Sequence, residues 1–486
     1  LGNFVVLNQP LSYDHLSARA DLDVHVANVT RNAIIESESE AIDRRGHVMF
    51  MHNRNVDIAY GGFYKLGRTN KNEPINDAVV NSDWSLQAGT GTNPRARYAL
   101  HFHRTGTIDD GNPSTVRGSA VVDAPGWGYV NHSSYVDMLD NVAFDVNGAS
   151  FSTEVGDEIG SFRGNIAIGT TGSGQAVEAR RQIQDFGHGG EGFWFQGAGI
   201  RVSNNISAGN AGSAYLFFNR SLTEGGIKKE FLTVNLPDPS IANGAETIDI
   251  GKISVFEFQN NVGYASAQGL ATWYHLEEAA PGQTGIFQNS TFWNNTVGVD
   301  LGYTQHTVLR NLTVIHALQA TQPMNGLHRN AVTNDIVYDN LTVSGYRVGI
   351  LMPTRGTSVV NGGQYNNAND IYIRTSGNRS ILITGFSQTP EITMAVESNL
   401  TGSDIAYYFG QDIVTLDFGP FGNKRLYYLQ QGASAVPFPL AIDGLPAEYV
   451  GLTNQQLWDR YGVALGGAVA PAGSYTVPEI IGLIAP

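Results

Sequence analysis

Two histidines separated by one residue lie in "RYALHFHR", residues 97–104, inside a run that otherwise reads as a β-strand. Side chains on a strand alternate faces, so His101 and His103 point the same way, about 6.5–7 Å apart at the backbone. Two imidazoles on one face can chelate a metal, exchange a proton with a substrate, or simply pack. Arg97 and Arg104 bracket them and suit an anionic substrate. A metal site needs further ligands, and His132 and Glu154 follow at intervals of 29 and 22 residues. In a parallel β-solenoid, coils stack about 4.8 Å apart, so residues one repeat apart can meet on one face. His101, His103, His132 and Glu154 therefore form a candidate divalent-metal site, for Zn²⁺ or Ca²⁺. His103, His132 and Glu154 are also candidates for acid–base catalysis.

A second group lies in "QDFGHGGEGFWFQG". Asp185, Glu191 and Trp194 are candidate substrate contacts, with Gln196 beside them, and His188 is a candidate catalytic residue. Loops projecting from one side of a solenoid commonly build its groove, and an indole can stack on a sugar ring. The competing reading of Trp194, between apolar neighbours, is core. His47 in "RGHVMFMH" is a secondary candidate, with either His47 or His52 expected in the core and the other exposed. His275 and Glu277 in "WYHLEE" read more simply as an ordinary strand end. "TEVGDE" offers Glu154, Asp157 and Glu158 as hard oxygens for Ca²⁺, although a solvated turn explains the last two equally well.

The elements that must position these residues repeat. A polar residue, Asn, alternating aliphatics and then Gly recur at Asn141, Asn165, Asn205, Asn261, Asn289, Asn311, Asn340 and Asn361. Several intervals fall between 20 and 30 residues, the period of a solenoid. Apolar spacing of two, with β-branched and aromatic residues, makes the coils strands. The pattern predicts an all-β chain: a right-handed parallel β-helix over residues 46–390, with the asparagines laddered at equivalent corners. Residues 1–45 are read as an N-terminal cap or the tail of a further β domain. Residues 391–486 are read as a small β-rich C-terminal cap, with hairpin-like strands around a "GPFGNK" turn. A short helix capped by Thr453 or Asn454 follows.

Composition narrows the function. A net charge of −15 disfavours nucleic acid as a partner, and no apolar run is long enough to span a bilayer. Cysteine is absent, so disulfides and thiolate metal sites are excluded. No Walker, Rossmann, HExxH or GxSxG motif stands in its required context. The chain begins with Leu and lacks a signal-peptide pattern, so a leader or a larger upstream region is expected to have been removed.

The stretches "PLSYDHLSARADLDVHVANVTRNAIIESE", "RRGHVMFMH" and "RYALHFHRTG" resemble the cell-migration-inducing, hyaluronan-binding protein family, its transmembrane relative and their bacterial homologues. The resemblance covers roughly residues 5–200, and the HFH strand is its strongest part. It implies an eight-glycine domain, of which residues 1–45 would be the tail, running into a parallel β-helix. It also implies an extracellular or cell-surface protein acting on acidic glycans, with depolymerase activity and dependence on a divalent cation. Two positions depart from the pattern: Ala149 stands where the family has a histidine, and His132 stands in a different local context.

Together these readings give an extracellular carbohydrate-active protein that binds, and depolymerises, an acidic polysaccharide as lyase or hydrolase. For hydrolysis the carboxylate pair would be Glu154 and Asp157. The alternative is a non-catalytic adhesin or matrix protein in which the same cluster is a structural metal site.

Overall fold

The computed structural model describes residues 17–220, 229–277, 283–317 and 325–374. Beyond these it describes residue 390 and the strands Arg379–Thr384, Ile392–Ala395, Ser403–Phe409, Asp412–Asp417 and Leu440–Asp443. The chain is a parallel β-helix. Each coil contributes one short strand to each of three sheets, and strands pair in parallel with their counterparts one coil away. The first sheet has eleven strands, from Ala33–Glu36 to Gln364–Asn366. Tyr129–Leu139 is long enough to round a corner. Its start pairs with Phe151–Thr153 in the second sheet and its end with Ile159–Arg163 in the third.

Like residues stack in columns because parallel register places equivalent positions above one another. Tyr129, Phe151, Phe193 and Tyr215 form an interior stack with ring centroids 4.7, 4.8 and 4.9 Å apart. The column continues through Leu270, Val299, Leu327, Ile350 and Ile371. Gly269, Gly298, Gly326 and Gly349 form another column at a corner. A β-carbon at any of them would stand 2.5–2.8 Å from the backbone oxygen of the next coil. That close approach explains the recurrent glycine of the repeat.

The asparagine corner exists, with a correction. Asn141, Asn165, Asn205 and Asn261 are fully buried, and the side-chain amide of each of the first three donates to Oδ1 of the next at 3.0 Å. Their backbone N–H groups donate to the same oxygens, so each side chain satisfies donors that the turn would otherwise orphan. Asn289, Asn311 and Asn340 are not equivalent to these. They sit one residue earlier with φ of 51–52°, the left-handed position that Asn tolerates, and ladder on the exposed side. The inward place is taken by Ser290, Leu312 and Leu341. A second inward ladder runs through Thr170, Asn210, Ser266 and Asn295 at another corner.

Residues 17–31 run as a strap over the outer face of the first sheet. Leu22 packs with Ala208, Tyr264, Trp293 and Ile315, and the His25 amide donates to the Tyr264 hydroxyl. Further along, Val29 accepts from Tyr64, and Arg31 reaches the Gly118 carbonyl. Later in the chain, the strands Ser403–Phe409 and Asp412–Asp417 pair antiparallel. "GPFGNK" and the expected helix from Thr453 or Asn454 lie outside the described residues.

Candidate functional site

Three consecutive coils of the second sheet bring the histidines together. Met51, His103 and His132 occupy one outward column, and His101 stands two residues before His103. On the next coil the strand ends at Thr153, and the Glu154 amide donates to the Asn131 carbonyl, which continues the column. Ring centroids of His103 and His132 are 4.5 Å apart, those of His101 and His103 5.2 Å, and those of His101 and His132 5.7 Å. Nδ1 of His132 lies 2.9 Å from Oε2 of Glu154, and Nε2 of His101 lies 3.6 Å from the same oxygen. One ligand atom each from His101, His132 and Glu154 falls within 4.8 Å of the others. His103 is outside that trio, edge-on to His101 and tilted against His132.

Electrostatics separate the roles. His101 is completely buried, and burial lowers it to about 4 against the pull of Glu154. Its Nδ1 faces the Ala96 carbonyl at 3.3 Å, which fixes the proton there. Nε2 is thereby left as a bare lone pair, buried and without a hydrogen-bond partner. Burial opposes ionisation of Glu154, but His132, His101 and Lys71 prevail and bring it to about 2. For His132 burial works downward while Glu154 wins and raises it. His103 is lowered, by burial first and then by His132; its buried Nδ1 has no partner.

The neighbouring carboxylates have other duties. Glu158 is buried and accepts N–H bonds from Ser133, Glu154, Val155 and Gly156, so it orders the turn beneath Glu154 and is not solvated. Lys229 donates to the Glu154 carbonyl from the other side. Arg104, exposed with φ of 53°, acts electrostatically on His103 and His132. Arg97 is set apart: its charge acts on His47, and its backbone N–H binds Thr69. His47 is half-buried and His52 exposed.

The glycine-rich insertion does not line a groove. Trp194 is fully buried, stacked on Phe186 and Phe218 with centroids 5.5 and 5.6 Å away. Asp185 is buried between Lys71 and Arg180, at 2.7 and 3.0 Å. His188 is buried with Nδ1 on Ser173, Glu191 is buried, and Gln196 donates to the Phe218 and Arg220 carbonyls. These residues are corrected from substrate contacts and a catalytic group to the packing that roofs the outer face of the sheet. The cause is the Lys71–Asp185–Arg180 clamp, which folds the insertion onto the sheet. His275 is likewise structural. It is buried and lowered by burial to about 3, its Nε2 accepts from the Val255 amide, and its Nδ1 faces Thr307.

Residues 87–270 match the family model of the CEMIP β-helix. Over those residues the coils are similar to the CEMIP β-helix. The matched stretch contains every residue of the histidine cluster and of the Asn141–Asn261 ladder, so the CEMIP-type coils are the ones that build the site. No curated protein sequence matches the chain significantly. Among the described residues, no helix is long and apolar enough to cross a membrane. Sequence reasoning missed the clamp residues Lys71 and Arg180, the half-buried Lys229 and the Ala96 carbonyl. The first three are basic residues in polar segments with no pattern that marks them, and a carbonyl leaves no signal in sequence at all.

Proposed function

We propose that the protein is an extracellular, divalent-metal-dependent depolymerase of an acidic polysaccharide, with its site at His101, His132, Glu154 and His103. The observation that carries this reading is the buried, partnerless Nε2 of His101 directed at a charged carboxylate 3.6 Å away. Two electron-rich atoms at that distance repel unless a proton or a cation lies between, and burial keeps His101 neutral. Two imidazoles and one carboxylate are the donor set of Zn²⁺ and related transition ions; Ca²⁺ prefers all-oxygen shells. The residues therefore fit such a cation, held by His101, His132 and Glu154.

When bound, the cation would supply positive charge to neutralise the substrate's uronate carboxylate. The chain's own residues supply the rest. Arg104, exposed at the rim, attracts the anionic chain locally against the protein's overall negative charge. His103 is half-exposed and held neutral at physiological pH by its lowered proton affinity, so it can accept the proton α to that carboxylate. As that proton leaves, the carbon–carbon double bond forms and the bond to the leaving oxygen breaks. That oxygen takes a proton from water or from the protonated His103, and the other product is an unsaturated uronate. Glu154 is poorly suited to be the acid of a hydrolase, because it stays ionised down to about pH 2. A half-exposed neutral base beside the cation site is what favours the lyase; a hydrolase would need Asp157, whose carboxyl is raised by burial, as its acid.

A glycan panel read for new reducing ends, with ultraviolet absorbance of unsaturated uronate, tests the reading. The expected result is cleavage that is lost on chelation and in His103→Ala. The complete burial of His101 favours a second reading, an adhesin with a closed structural metal. Metal-replete binding with no chain shortening across the panel would select it.

A further inference from the structure

Several coils beyond the histidines, the same outer face of the second sheet carries a different arrangement. The strands Gln268–Trp273, Val297–Gly302 and Asn325–Arg329 pair so that Ala271, Asp300 and His328 share one column and Trp273 and Gly302 the next. The indole of Trp273 lies on Gly302, where a β-carbon would stand 3.0 Å from the ring. Tyr303 stacks on Tyr274 at 4.6 Å and tilts against Trp273 at 6.1 Å. Trp273 and Tyr303 are both half-buried, so each keeps part of its ring in solvent. The Arg220 guanidinium sits 4.9 Å from the Tyr274 ring and remains 58% exposed, with Glu277 at 3.6 Å.

Beside the rings runs a chain of polar side chains. Ser213 donates to Gln268, Gln268 donates to Asp300 at 2.6 Å, and Asp300 accepts from Nδ1 of His328 at 2.8 Å. The His328 ring is 37% exposed. Aromatic faces next to fixed donors and acceptors match a sugar ring, which has an apolar face and a polar rim. The Arg220 charge is offset by Glu277, so the ring faces and the polar chain carry the recognition.

We propose that Trp273 and Tyr303, with Asp300 and His328, form a second glycan-contact site that holds an anionic polysaccharide without a metal. Only the ligand class rests on the function proposed above. The site begins at Trp273, four coils from His132 and about 19 Å along the solenoid, and runs two coils further to His328. Gln196 and Phe218 between them are buried, so the two sites are separate.

The test is binding of hyaluronan and chondroitin sulfate decasaccharides to the full chain in excess chelator, followed by calorimetry. Binding should persist in the wild type. It should weaken about tenfold or more in Trp273→Ala and in Tyr303→Ala, the loss expected of an aromatic anchor. Trp273→Phe should recover most of it, and a His101→Ala/His132→Ala double variant should leave it unchanged. Chelator-resistant binding absent from the wild type, or fully kept by both aromatic variants, overturns the proposal. Binding that follows this pattern in a protein that cleaves nothing removes the depolymerase reading and leaves this site standing.

Discussion

Nζ of Lys71 and Oδ1 of Asp185 meet at 2.7 Å across 114 residues of sequence, both side chains sealed from solvent. Lys71 also lies 4.2 Å over the Trp127 ring, and Arg180 grips the second oxygen of Asp185 at 3.0 Å. This clamp joins the insertion that carries Ala96 to the insertion that carries His188. The Ala96 carbonyl that faces His101 lies in the first of these insertions.

Removing one partner of a buried pair costs about 3–5 kcal/mol because the other charge is left unsolvated. Lys71→Met should fall at the low end, near 3 kcal/mol, since Arg180 still serves Asp185. Asp185→Asn should cost more, because it strands two cations. Denaturant unfolding of the two variants checks the order; equal costs, or Lys71→Met the worse, would show that the clamp is not built around Asp185.

The two asparagine ladders should differ sharply. Asn205→Ala leaves the Phe162 carbonyl and the Asn165 donors without partners in the interior, so about 3 kcal/mol or more is expected. Asn311→Gly, on the exposed ladder at a left-handed position, should stay within about 0.5 kcal/mol. Melting temperatures of the pair decide this.

His275 and His188 are held neutral by burial, lowered to about 3 and about 4. The unfolded chain protonates both near pH 6.5, so it binds more protons than the folded chain between that pH and those values. Stability should therefore fall as pH drops from 6.5 towards 4, by about 1.4 kcal/mol per pH unit for each group. A His275→Gln variant should show a shallower slope over this range. An unchanged slope in chemical unfolding would mean that His275 does not titrate this way.

At the cluster, His101→Ala and His132→Ala should each lower bound zinc on elemental analysis of the purified protein, by about tenfold or more at limiting metal. His103→Ala should keep its metal and lose cleavage. Metal lost equally from all three would return His103 to the ligand set and require another base.

The strands, the solenoid and the column of His103 and His132 are legible in the sequence because spacing of two and a repeat of 20–30 residues report directly on which side chains share a face. Register is less legible. "NNIS" and "QNST" look alike, yet Asn205 points inward while Asn289 occupies the left-handed position before it, and a one-residue difference of this kind reverses the direction of a side chain. Least legible is what lies on top of a sheet. Asp185, His188, Glu191 and Trp194 read as a groove because Gly-rich polar segments are commonly exposed. Their burial depends on Lys71, more than a hundred residues earlier, and no local pattern encodes that meeting.

The strap of residues 17–31 changes how such a molecule can come apart. A solenoid in which each coil touches only its neighbours tends to fray from its ends, losing coils one at a time. Here the strap's contacts run from Tyr64 and Gly118 to Tyr264 and Trp293. Peeling it away exposes several coils at once, and melting one of those coils loosens the strap over the others. Such long-range ties convert sequential unzipping into a concerted transition, and they span the coils that carry the histidines.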